Sequence, residues 1–365
     1  MAVAKKKRSP NALRAAELVS EISDTLKLNH GVVSLGNDPY FTITRVPTGS
    51  LVMDRVTGGG FAHGRHYELY GDESSGKSYI VYMTMVLAQQ RGKMCAMIDP
   101  EHSFDEERFS FLGGNPEELI LQHPETAEQA VATMMLLAKN AHEIEVVGID
   151  SVSSLVAREE MENDPREEDR MGSQARMMSR ALRRITTVNK KTLFIWTNQE
   201  RENIGIRFGN PKTTSGGRAL RFYATGRIEF RRGTKVMGKV KRAKAGKLVE
   251  TEAPIGRWTQ VRVEKDKSTV PGREGAFVFN YNMKKIDPAS EIIQLGLEDG
   301  LITRSASGWY SYVDLDDKEW KGTEKKFYKL LNTNDELREE IEAVIRDNTD
   351  NQFGGEDSSG ESDDD

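Results

Sequence analysis

One eight-residue segment constrains this chain most, because residues 71–78 match the phosphate-loop pattern G-x-x-x-x-G-K-[ST]. Residues 65–70 before it read as a strand, and residues 77–91 after it read as a buried helix that stops near Gly92. Glycines let the backbone wrap around an anion, amides at the helix N-terminus point at it, and Lys77 and Ser78 can hold phosphate and Mg²⁺. The pattern predicts a nucleoside triphosphate site, and an ordinary glycine-rich turn is the alternative. The residues expected to hold the nucleotide are Gly71, Asp72, Glu73, Ser74, Ser75, Gly76, Lys77 and Ser78.

Size and composition indicate a large chain without a membrane partner. Its 365 residues leave room for a main domain and one or two smaller pieces. No apolar run approaches the length of a membrane span, and the basic residues 5–8 lack the apolar segment of a secretory signal behind them. A lone cysteine, Cys95, cannot form an intrachain disulfide, which favours a reducing compartment. We therefore expect a cytoplasmic protein.

Charge is distributed unevenly along the chain. The whole chain has a net charge of −5, and much negative charge lies at its C-terminus. Residues 335–365 carry 13 acidic and 2 basic side chains. Residues 216–247 instead carry 11 basic side chains and one acidic side chain. A basic body with an acidic tail is typical of a polyanion binder with an internal competitor, but both segments can equally be solvated surface. Charge alone does not decide between them.

Strand and helix patterns alternate through the first two thirds of the chain. This alternation predicts an α/β fold with a mainly parallel central sheet covered on both faces. Later strands with few helices between them predict an antiparallel extension, and short helices are expected around residues 308–312. Strands are expected near residues 66–70, 94–99, 146–150, 192–198, 224–232, 257–265 and 275–281, and helices near 11–28 and 173–188. The expected divisions are an N-terminal basic arm with an oligomerisation helix (1–40), a core (41–285), a small α+β C-terminal domain (286–347) and a disordered acidic tail (348–365).

Three polar residues fall at the carboxyl ends of predicted strands, where chemistry gathers in a parallel sheet. Asp150 closes an apolar strand and is placed to orient Mg²⁺. Glu101 follows another strand, where its carboxylate can accept a proton from an attacking water. Gln199 ends a third strand, where its amide can respond to a γ-phosphate. Polar residues often end strands for structural reasons, so position alone leaves Glu101 and Gln199 open.

Several segments resemble the bacterial RecA recombinase family, in the family's order from about residue 10 to residue 345. They are 48–51 (TGSL), 70–78 (YGDESSGKS), 98–102 (IDPEH), 149–152 (IDSV), 175–179 (ARMMS), 208–217 (FGNPKTTSGG), 222–224 (FYA) and 309–312 (WYSY). Many ATPases share the phosphate loop, whereas the segment at 208–217 is specific to this family. The resemblance implies a RecA-type ATPase core and an ATP- and Mg²⁺-dependent helical filament on single-stranded DNA. It further implies DNA-stimulated ATP hydrolysis, pairing with homologous duplex DNA, and single-strand-binding and loader proteins as partners.

The resemblance also implies roles for individual residues. Lys77 and Ser78 hold phosphate and metal, Asp150 positions the metal, Glu101 activates water, and Gln199 couples nucleotide state to the DNA loop that follows it. Lys265 and Lys267 match a pair that reaches the ATP of the neighbouring protomer. Asp105 belongs to the nucleotide site, but Arg108 stands where the family stacks an aromatic ring on adenine, and Asp72 replaces the usual proline of the loop.

Two loops, at about 160–171 and 200–218, are expected to face DNA. The second mixes basic, hydroxyl and glycine residues, which suits sequence-independent and salt-sensitive binding. The first is rich in acidic residues, so only a few of its neighbours are expected to contact DNA. The expected DNA-binding residues are Arg170, Met171, Arg176, Arg201, Arg207, Phe208, Lys212, Thr213, Thr214, Gly216, Gly217 and Arg218.

Two other classes of protein share parts of this pattern. A ring-shaped, helicase-like motor of the same fold has the phosphate loop and the strand-end aspartate, but not the segment at 208–217. A DNA-coating filament that uses ATP only as a structural ligand would not need Glu101.

Overall fold

The computed structural model describes residues 10–26, 43–158, 173–202, 212–214, 217–244 and 247–353. Its α-helices are α1 (Pro10–Leu26), α2 (Leu51–Thr57), α3 (Lys77–Gln90), α4 (Glu106–Phe111), α5 (Ala127–Lys139), α6 (Ser173–Val188), α7 (Gly217–Tyr223), α8 (Pro288–Glu298), α9 (Glu324–Thr333) and α10 (Asp335–Phe353). Its strands are β1 (Arg45–Val46), β2 (Phe61–Ala62), β3 (His66–Gly71), β4 (Met94–Ile98), β5 (Leu119–Gln122), β6 (Ile144–Ile149), β7 (Leu193–Glu202), β8 (Lys212–Thr214), β9 (Gly226–Lys244), β10 (Lys247–Asp266), β11 (Glu274–Asn280), β12 (Lys285–Ile286), β13 (Thr303–Arg304), β14 (Trp309–Val313) and β15 (Glu319–Thr323). Within these ranges, no helix is both long and apolar enough to cross a membrane.

The central sheet has a parallel part and an antiparallel part. Its main path runs β12-β11-β10-β9-β3-β7-β6-β4-β5. Strands β9, β3, β7, β6, β4 and β5 pair in parallel, whereas β9 to β12 pair antiparallel. The prediction of a mainly parallel sheet with an antiparallel extension is confirmed. This order brings the carboxyl ends of β3, β4, β6 and β7 to one edge of the sheet, where the site lies.

Helices cover both faces of the sheet. On one face, Met178 and Leu182 of α6 pack in the same apolar cluster as Trp196 of β7. On the other face, α3 approaches β6 so closely that a Cβ on Gly148 would lie 2.6 Å from the Met85 side chain. Glycine therefore permits the contact between α3 and the sheet, and the helix behind the phosphate loop is held firmly by the core.

Strand β4 buries the single cysteine of the chain. Cys95 is fully buried, and its thiol lies 3.5 Å from the carbonyl oxygen of Met85. Burial raises the pKa of Cys95 to about 12. The thiol is therefore protonated and unreactive at neutral pH.

Buried polar contacts join α2 to the C-terminal helices. Glu291 of α8 is fully buried and accepts hydrogen bonds from the Ser50 hydroxyl and from the N–H of Val52 (3.2 Å). Asp54 of α2 forms an ion pair with Arg346 of α10 (2.6 Å). Burial raises the pKa of Glu291 to about 7, against the opposing effect of its hydrogen bonds. The junction between α2 and α8 therefore contains a carboxyl group that titrates near neutral pH.

Two expectations about the C-terminal region are wrong. Residues 309–313 form strand β14 rather than short helices, because Tyr310 and Tyr312 point into the core and alternate with exposed or half-buried neighbours. Helix α10 continues past residue 347 to Phe353, and the Thr349 hydroxyl is buried, where it accepts from Arg55 Nε (2.7 Å). Residues 348–353 therefore do not belong to a disordered tail, and residues 354–365 lie outside the described residues.

Candidate nucleotide site

The phosphate loop is shaped by the strand that lies beside β3. Gly71 ends β3 with a φ of +128°, and a Cβ there would lie 2.1 Å from the carbonyl oxygen of Phe230 on β9. Asp72 donates its N–H to the same carbonyl (3.0 Å), and its carboxylate accepts from the N–H of Arg232 (2.8 Å). Only glycine fits at position 71. At position 72, an aspartate is favoured because its carboxylate accepts the hydrogen bond from Arg232. The loop is held by β9 through these contacts.

The Lys77 ammonium lies within the loop. Its side chain is buried, and Nζ donates to the carbonyl oxygens of Asp72 (2.6 Å) and Gly71 (3.2 Å). Burial lowers the pKa of Lys77, while the carboxylates of Asp150 and Asp72 act in the opposite direction. The surrounding oxygens hold a cation at the centre of the loop, where a phosphate group would meet it.

The two residues predicted to bind metal are in contact. Asp150, at the end of β6, accepts hydrogen bonds from the hydroxyls of Ser78 and Thr197. Burial raises the pKa of Asp150, and these two hydrogen bonds oppose that shift. A hydroxyl beside one carboxylate fits Mg²⁺ that completes its shell with water and phosphate oxygens. The donor set therefore fits the expected metal.

Glu101 is directed toward this group of residues. Its Oε1 accepts hydrogen bonds from the hydroxyls of Ser151 and Ser154, the latter at 2.9 Å. Both serines follow β6, so the carboxylate spans from the end of β4 to the end of β6. The charge of Glu101 acts on the pKa values of both Lys77 and Asp150. The structure thus brings the predicted base, metal ligand and phosphate-binding lysine together.

Gln199 lies beside the start of the loop. It is the register partner of Gly71 in the parallel β3–β7 pair. Its N–H donates to the Asn198 side chain (2.9 Å), whose amide in turn donates to Glu68 Oε1 (2.9 Å). Beyond Gln199, β7 continues to Glu202 and pairs with β8, so the second predicted DNA loop leaves from this position.

An ionic network centred on the buried pair Arg227 and Glu68 joins four strands behind the loop, and the sequence did not reveal it. Arg227 of β9 contacts Glu68 of β3 through Nε (2.5 Å) and also pairs with Glu264 of β10. Glu264 accepts from the Tyr70 hydroxyl (2.7 Å), and Asn198 of β7 completes the network through Glu68. Burial acts to lower the pKa of Arg227, but Glu68 and Glu264 outweigh it and raise the pKa. The only sequence signal is a glutamate placed between Tyr67 and Leu69 in a predicted strand.

Lys265 and Lys267 contact α7 instead of the phosphate loop. Lys265 Nζ donates to the carbonyl oxygens of Arg221 (2.6 Å) and Phe222 (3.1 Å), and Lys267 Nζ donates to that of Phe222 (3.3 Å). These carbonyls end α7, where a helix favours cations. Burial lowers the pKa of Lys265, and the charge of Lys267 acts in the same direction. The lysines are therefore attached to the helix that follows the second predicted DNA loop.

The predicted DNA-binding residues are only partly described. Arg170, Met171, Arg207, Phe208 and Gly216 lie outside the described residues. The backbones of Arg201, Lys212 and Thr213 pair in the β7–β8 hairpin, and Gly217 and Arg218 open α7. Thr214 is buried, and among the described residues its hydroxyl has no hydrogen-bond partner.

Arg176 lies in a basic row on α6. With Arg180 and Arg184 it lines a cavity of about 720 Å³ between α5 and α6, which also includes Met135 and Leu136. The three arginines are spaced four residues apart and share one face of the helix. Arg176 is exposed, as a residue that contacts DNA must be.

A second cavity lies between α4 and residues 279–284, and one of its lining residues, Arg108, contacts α3. It has a volume of about 490 Å³, and its lining includes Asp105, Arg108, Phe279 and Tyr281. The Arg108 guanidinium lies 6.0 Å from the ring centre of Tyr79, the residue after Ser78, and 5.6 Å from that of Phe279. The predicted nucleotide residue Asp105 caps α4 by accepting from Arg108 N–H (2.9 Å). The cavity therefore adjoins the helix that begins at the phosphate loop.

Comparisons with known proteins agree with this architecture. Residues 16–285 match the family model described as RecA N-terminal domain. Protein RecA of Marinobacter nauticus is 37% identical over 320 residues, 87% of this chain and 86% of that protein. Protein RecA of Thermus thermophilus is 35% identical over 350 residues, 95% of each, and that of Bacteroides thetaiotaomicron is 37% identical over 317 residues, 86% and 90%. The chain therefore belongs to the RecA family of recombinases.

Proposed function

We propose that this chain forms a helical filament on single-stranded DNA, hydrolyses ATP within it, and pairs the bound strand with homologous duplex DNA. The observation that carries the proposal is the division of the catalytic residues. Lys77, Asp150 and Glu101 gather at the phosphate loop, whereas Lys265 and Lys267 are hydrogen-bonded to the end of α7. A site divided in this way is complete only when two protomers meet.

In the proposed reaction, hydrolysis uses the side chains that gather at the phosphate loop. Glu101 accepts the proton of the attacking water, and the Ser151 and Ser154 hydroxyls hold its carboxylate in position. Lys77 and the loop amides bind the β- and γ-phosphates and offset the charge that develops on them. Ser78 and Asp150 would hold Mg²⁺, which supplies further neutralisation of that charge.

Assembly is supported by α1. This helix has no buried residue, and Leu13, Leu18, Ile22 and Leu26 are all exposed. An amphipathic helix gains stability by covering such a row, and a second copy of the chain offers a surface for it. We propose that residues 1–40 act as an oligomerisation arm, residues 41–285 as the ATPase core and the region from residue 286 as a C-terminal domain.

Coupling between DNA and ATP follows from the order of contacts. The second loop leads into α7, whose last carbonyl oxygens accept hydrogen bonds from Lys265 and Lys267. Lys265 in turn follows Glu264, a member of the ionic network. The same network reaches Asn198 beside Gln199 through Arg227 and Glu68. DNA bound at the second loop would therefore fix α7 and present both lysines to the neighbouring protomer.

Two inactive variants test this arrangement. Glu101→Gln removes the base, and the double variant Lys265→Ala/Lys267→Ala removes the lysines supplied across the interface. Each alone should lose single-strand-dependent ATP hydrolysis. An equal mixture should recover about a quarter of the wild-type rate, because roughly one head-to-tail interface in four pairs an intact base with intact lysines.

Several outcomes would contradict the proposal. If the mixture stays inactive although both variants co-assemble on DNA, the two lysines and Glu101 act in the same protomer. Full activity of a dilute, unassembled monomer would exclude a shared site. Wild-type protein should also exchange strands with homologous duplex and fail with heterologous duplex, and equal products from both would point to a filament that only coats DNA.

A further inference from the structure

The cavity of about 490 Å³ beside α3 has a cation in its wall. Its volume lies within the range of pockets that hold small ligands. Arg108 is half-buried and rests against the rings of Tyr79 and Phe279, which restricts its planar group. A guanidinium in such a place can stack on a ring and also donate hydrogen bonds within its own plane.

Groups of both polarities surround this guanidinium. Asp105 and Glu107 provide carboxylate acceptors, and Lys284 provides a second cationic donor. Lys284 is placed by its contact with Phe111, whose ring centre lies 6.0 Å from the ammonium group. Tyr281 adds an aromatic wall. The cavity therefore offers an apolar slot for a flat ring together with donors and acceptors at its edge.

We infer that this cavity holds the nucleobase of the triphosphate and accepts guanine about as well as adenine, with Arg108 as the residue that sets this specificity. The inference rests on the proposed nucleotide site, since the phosphates must lie in the loop at the start of α3. The ligand class is thus a purine nucleoside triphosphate, and GTP is a substrate alongside ATP.

The chemistry of the two purines explains why Arg108 matters. Guanine presents two acceptors, N7 and O6, which an arginine can contact together, whereas adenine presents N7 and an N–H donor. A site that offers adenine only acceptors rejects guanine, because O6 would be buried without a donor. Arg108 and Lys284 supply that donor, and Asp105 and Glu107 remain available for the amino groups of either base. Guanine therefore does not leave O6 without a hydrogen-bond donor in this cavity, and the energetic cost that normally excludes it is absent.

Equilibrium binding of the γ-thio analogues of ATP and GTP, each with Mg²⁺, tests the inference by calorimetry. Wild-type protein should bind the two analogues with affinities within about threefold of each other. Arg108→Tyr, which keeps a stacking surface and removes the paired guanidinium donors, should shift the ratio toward ATP by fivefold or more, on the order expected for one lost polar contact. Arg304→Tyr is the matched control: this exposed arginine also lies over an aromatic ring, that of Tyr310, but outside the cavity.

The outcomes separate the base cavity from the phosphate loop. A wild-type preference for the ATP analogue above tenfold, or an unchanged ratio in Arg108→Tyr with ATP binding retained, would overturn the inference. Competition by inorganic tripolyphosphate, absent in Lys77→Ala, would then show that the phosphate loop still functions. If neither analogue nor tripolyphosphate binds, the proposed nucleotide site itself is refuted. Thermal unfolding of each variant identifies a fold defect independently of the binding ratio.

Discussion

Two serine hydroxyls hold the Glu101 carboxylate, which makes this residue suited to a sharp substitution. In Glu101→Gln, the side-chain carbonyl can still accept those hydrogen bonds, so the local structure should persist. The amide cannot take a proton from water, and single-strand-dependent hydrolysis should fall by roughly a hundredfold or more. Phosphate release measures the rate, and binding of the γ-thio ATP analogue should stay within about twofold.

A matched change on the neighbouring helix serves as the control for this prediction. Glu106 is exposed in the first turn of α4, and Glu106→Gln should hydrolyse ATP at the wild-type rate. A Glu101→Gln protein that hydrolyses ATP normally would remove this carboxylate from the reaction.

Glu291 predicts how stability depends on pH. Burial raises its pKa to about 7, whereas in the unfolded chain the group ionises near pH 4.5. Its contribution to the free energy of unfolding is therefore fully present below about pH 4.5 and is lost as the pH rises through about 7, on the order of 3 kcal/mol in all. Urea unfolding of the nucleotide-free protein between pH 5 and 8 should show stability falling, with Asp54 acting in the same direction.

Substitution isolates the part that belongs to Glu291. Glu291→Gln should flatten the pH dependence, because the amide keeps a carbonyl acceptor for Ser50 and Val52 and does not titrate. Glu298→Gln, exposed on the same helix, should leave the dependence unchanged. An equal pH slope in wild type and Glu291→Gln would show that this carboxyl group does not control it.

At the level of single residues, the local sequence predicted the phosphate loop but not the distant residues that contact it. Lys77 and Ser78 were predicted from the fixed spacing of a phosphate loop, and Asp150 from its place directly after an apolar strand. The pairing of Glu68 with Arg227, 159 residues apart, depends on which strands become neighbours in the sheet, and periodicity does not contain that information. For the same reason, the hydrogen bonds that join Asp72 to the backbones of Phe230 and Arg232 were not predicted.

The β9–β10 hairpin carries positive charge to which no role has been assigned so far. Strand β11 pairs with β10 between Gly256 and Arg262. In the outer arm, residues 237–254, the described residues 237–244 and 247–254 pair only with one another. Its sequence carries five basic and two acidic side chains. We expect replacement of the outer arm by Asn-Gly to leave the fold intact and to weaken binding to DNA.

Salt dependence measures that effect. The slope of log affinity against log salt should become shallower by about 2 to 3, because each phosphate contact contributes somewhat less than one. Thermal unfolding should stay close to wild type if the outer arm contributes little to the core. An unchanged slope would show that the outer arm does not contact DNA.

Elements were predicted well where apolar residues recur and poorly where they do not. Helix α6 was expected at residues 173–188 and forms there, because Met178, Leu182 and Ile185 mark one buried face. The outer arm extends both strands well beyond the predicted 224–232 and 257–265, because charged and small residues dominate its sequence and give no strand signal. Strand β14 was missed because only two of its residues, Tyr310 and Tyr312, are buried.

On the scale of the whole molecule, the acidic C-terminus should compete with DNA for basic surface. The cut that tests this belongs after Phe353, because Thr349 and Asn348 contact Arg55 and Asp299. Deletion of residues 354–365, which include six acidic side chains, should raise affinity for single-stranded DNA most at low salt. Fluorescence anisotropy across a salt titration checks this, and identical affinities at every salt concentration would exclude competition. Deletion of 348–365 should also lower thermal stability.

The overall architecture was accessible from sequence because alternating strands and helices permit few arrangements. The parallel core, its antiparallel extension and the position of the site at one sheet edge all followed from that order. The attachment of Lys265 and Lys267 to α7 did not follow, because it depends on how a helix end meets a strand far along the chain.

The burial of Cys95 has a practical consequence for labelling experiments on this protein. Since the sole native sulfhydryl is protonated and enclosed, reagents such as maleimides should ignore it in the folded state. One cysteine introduced at an exposed position, Ser307 for instance, would then carry a dye or spin probe without further engineering. Distances between labelled neighbours could be followed in real time as subunits polymerise.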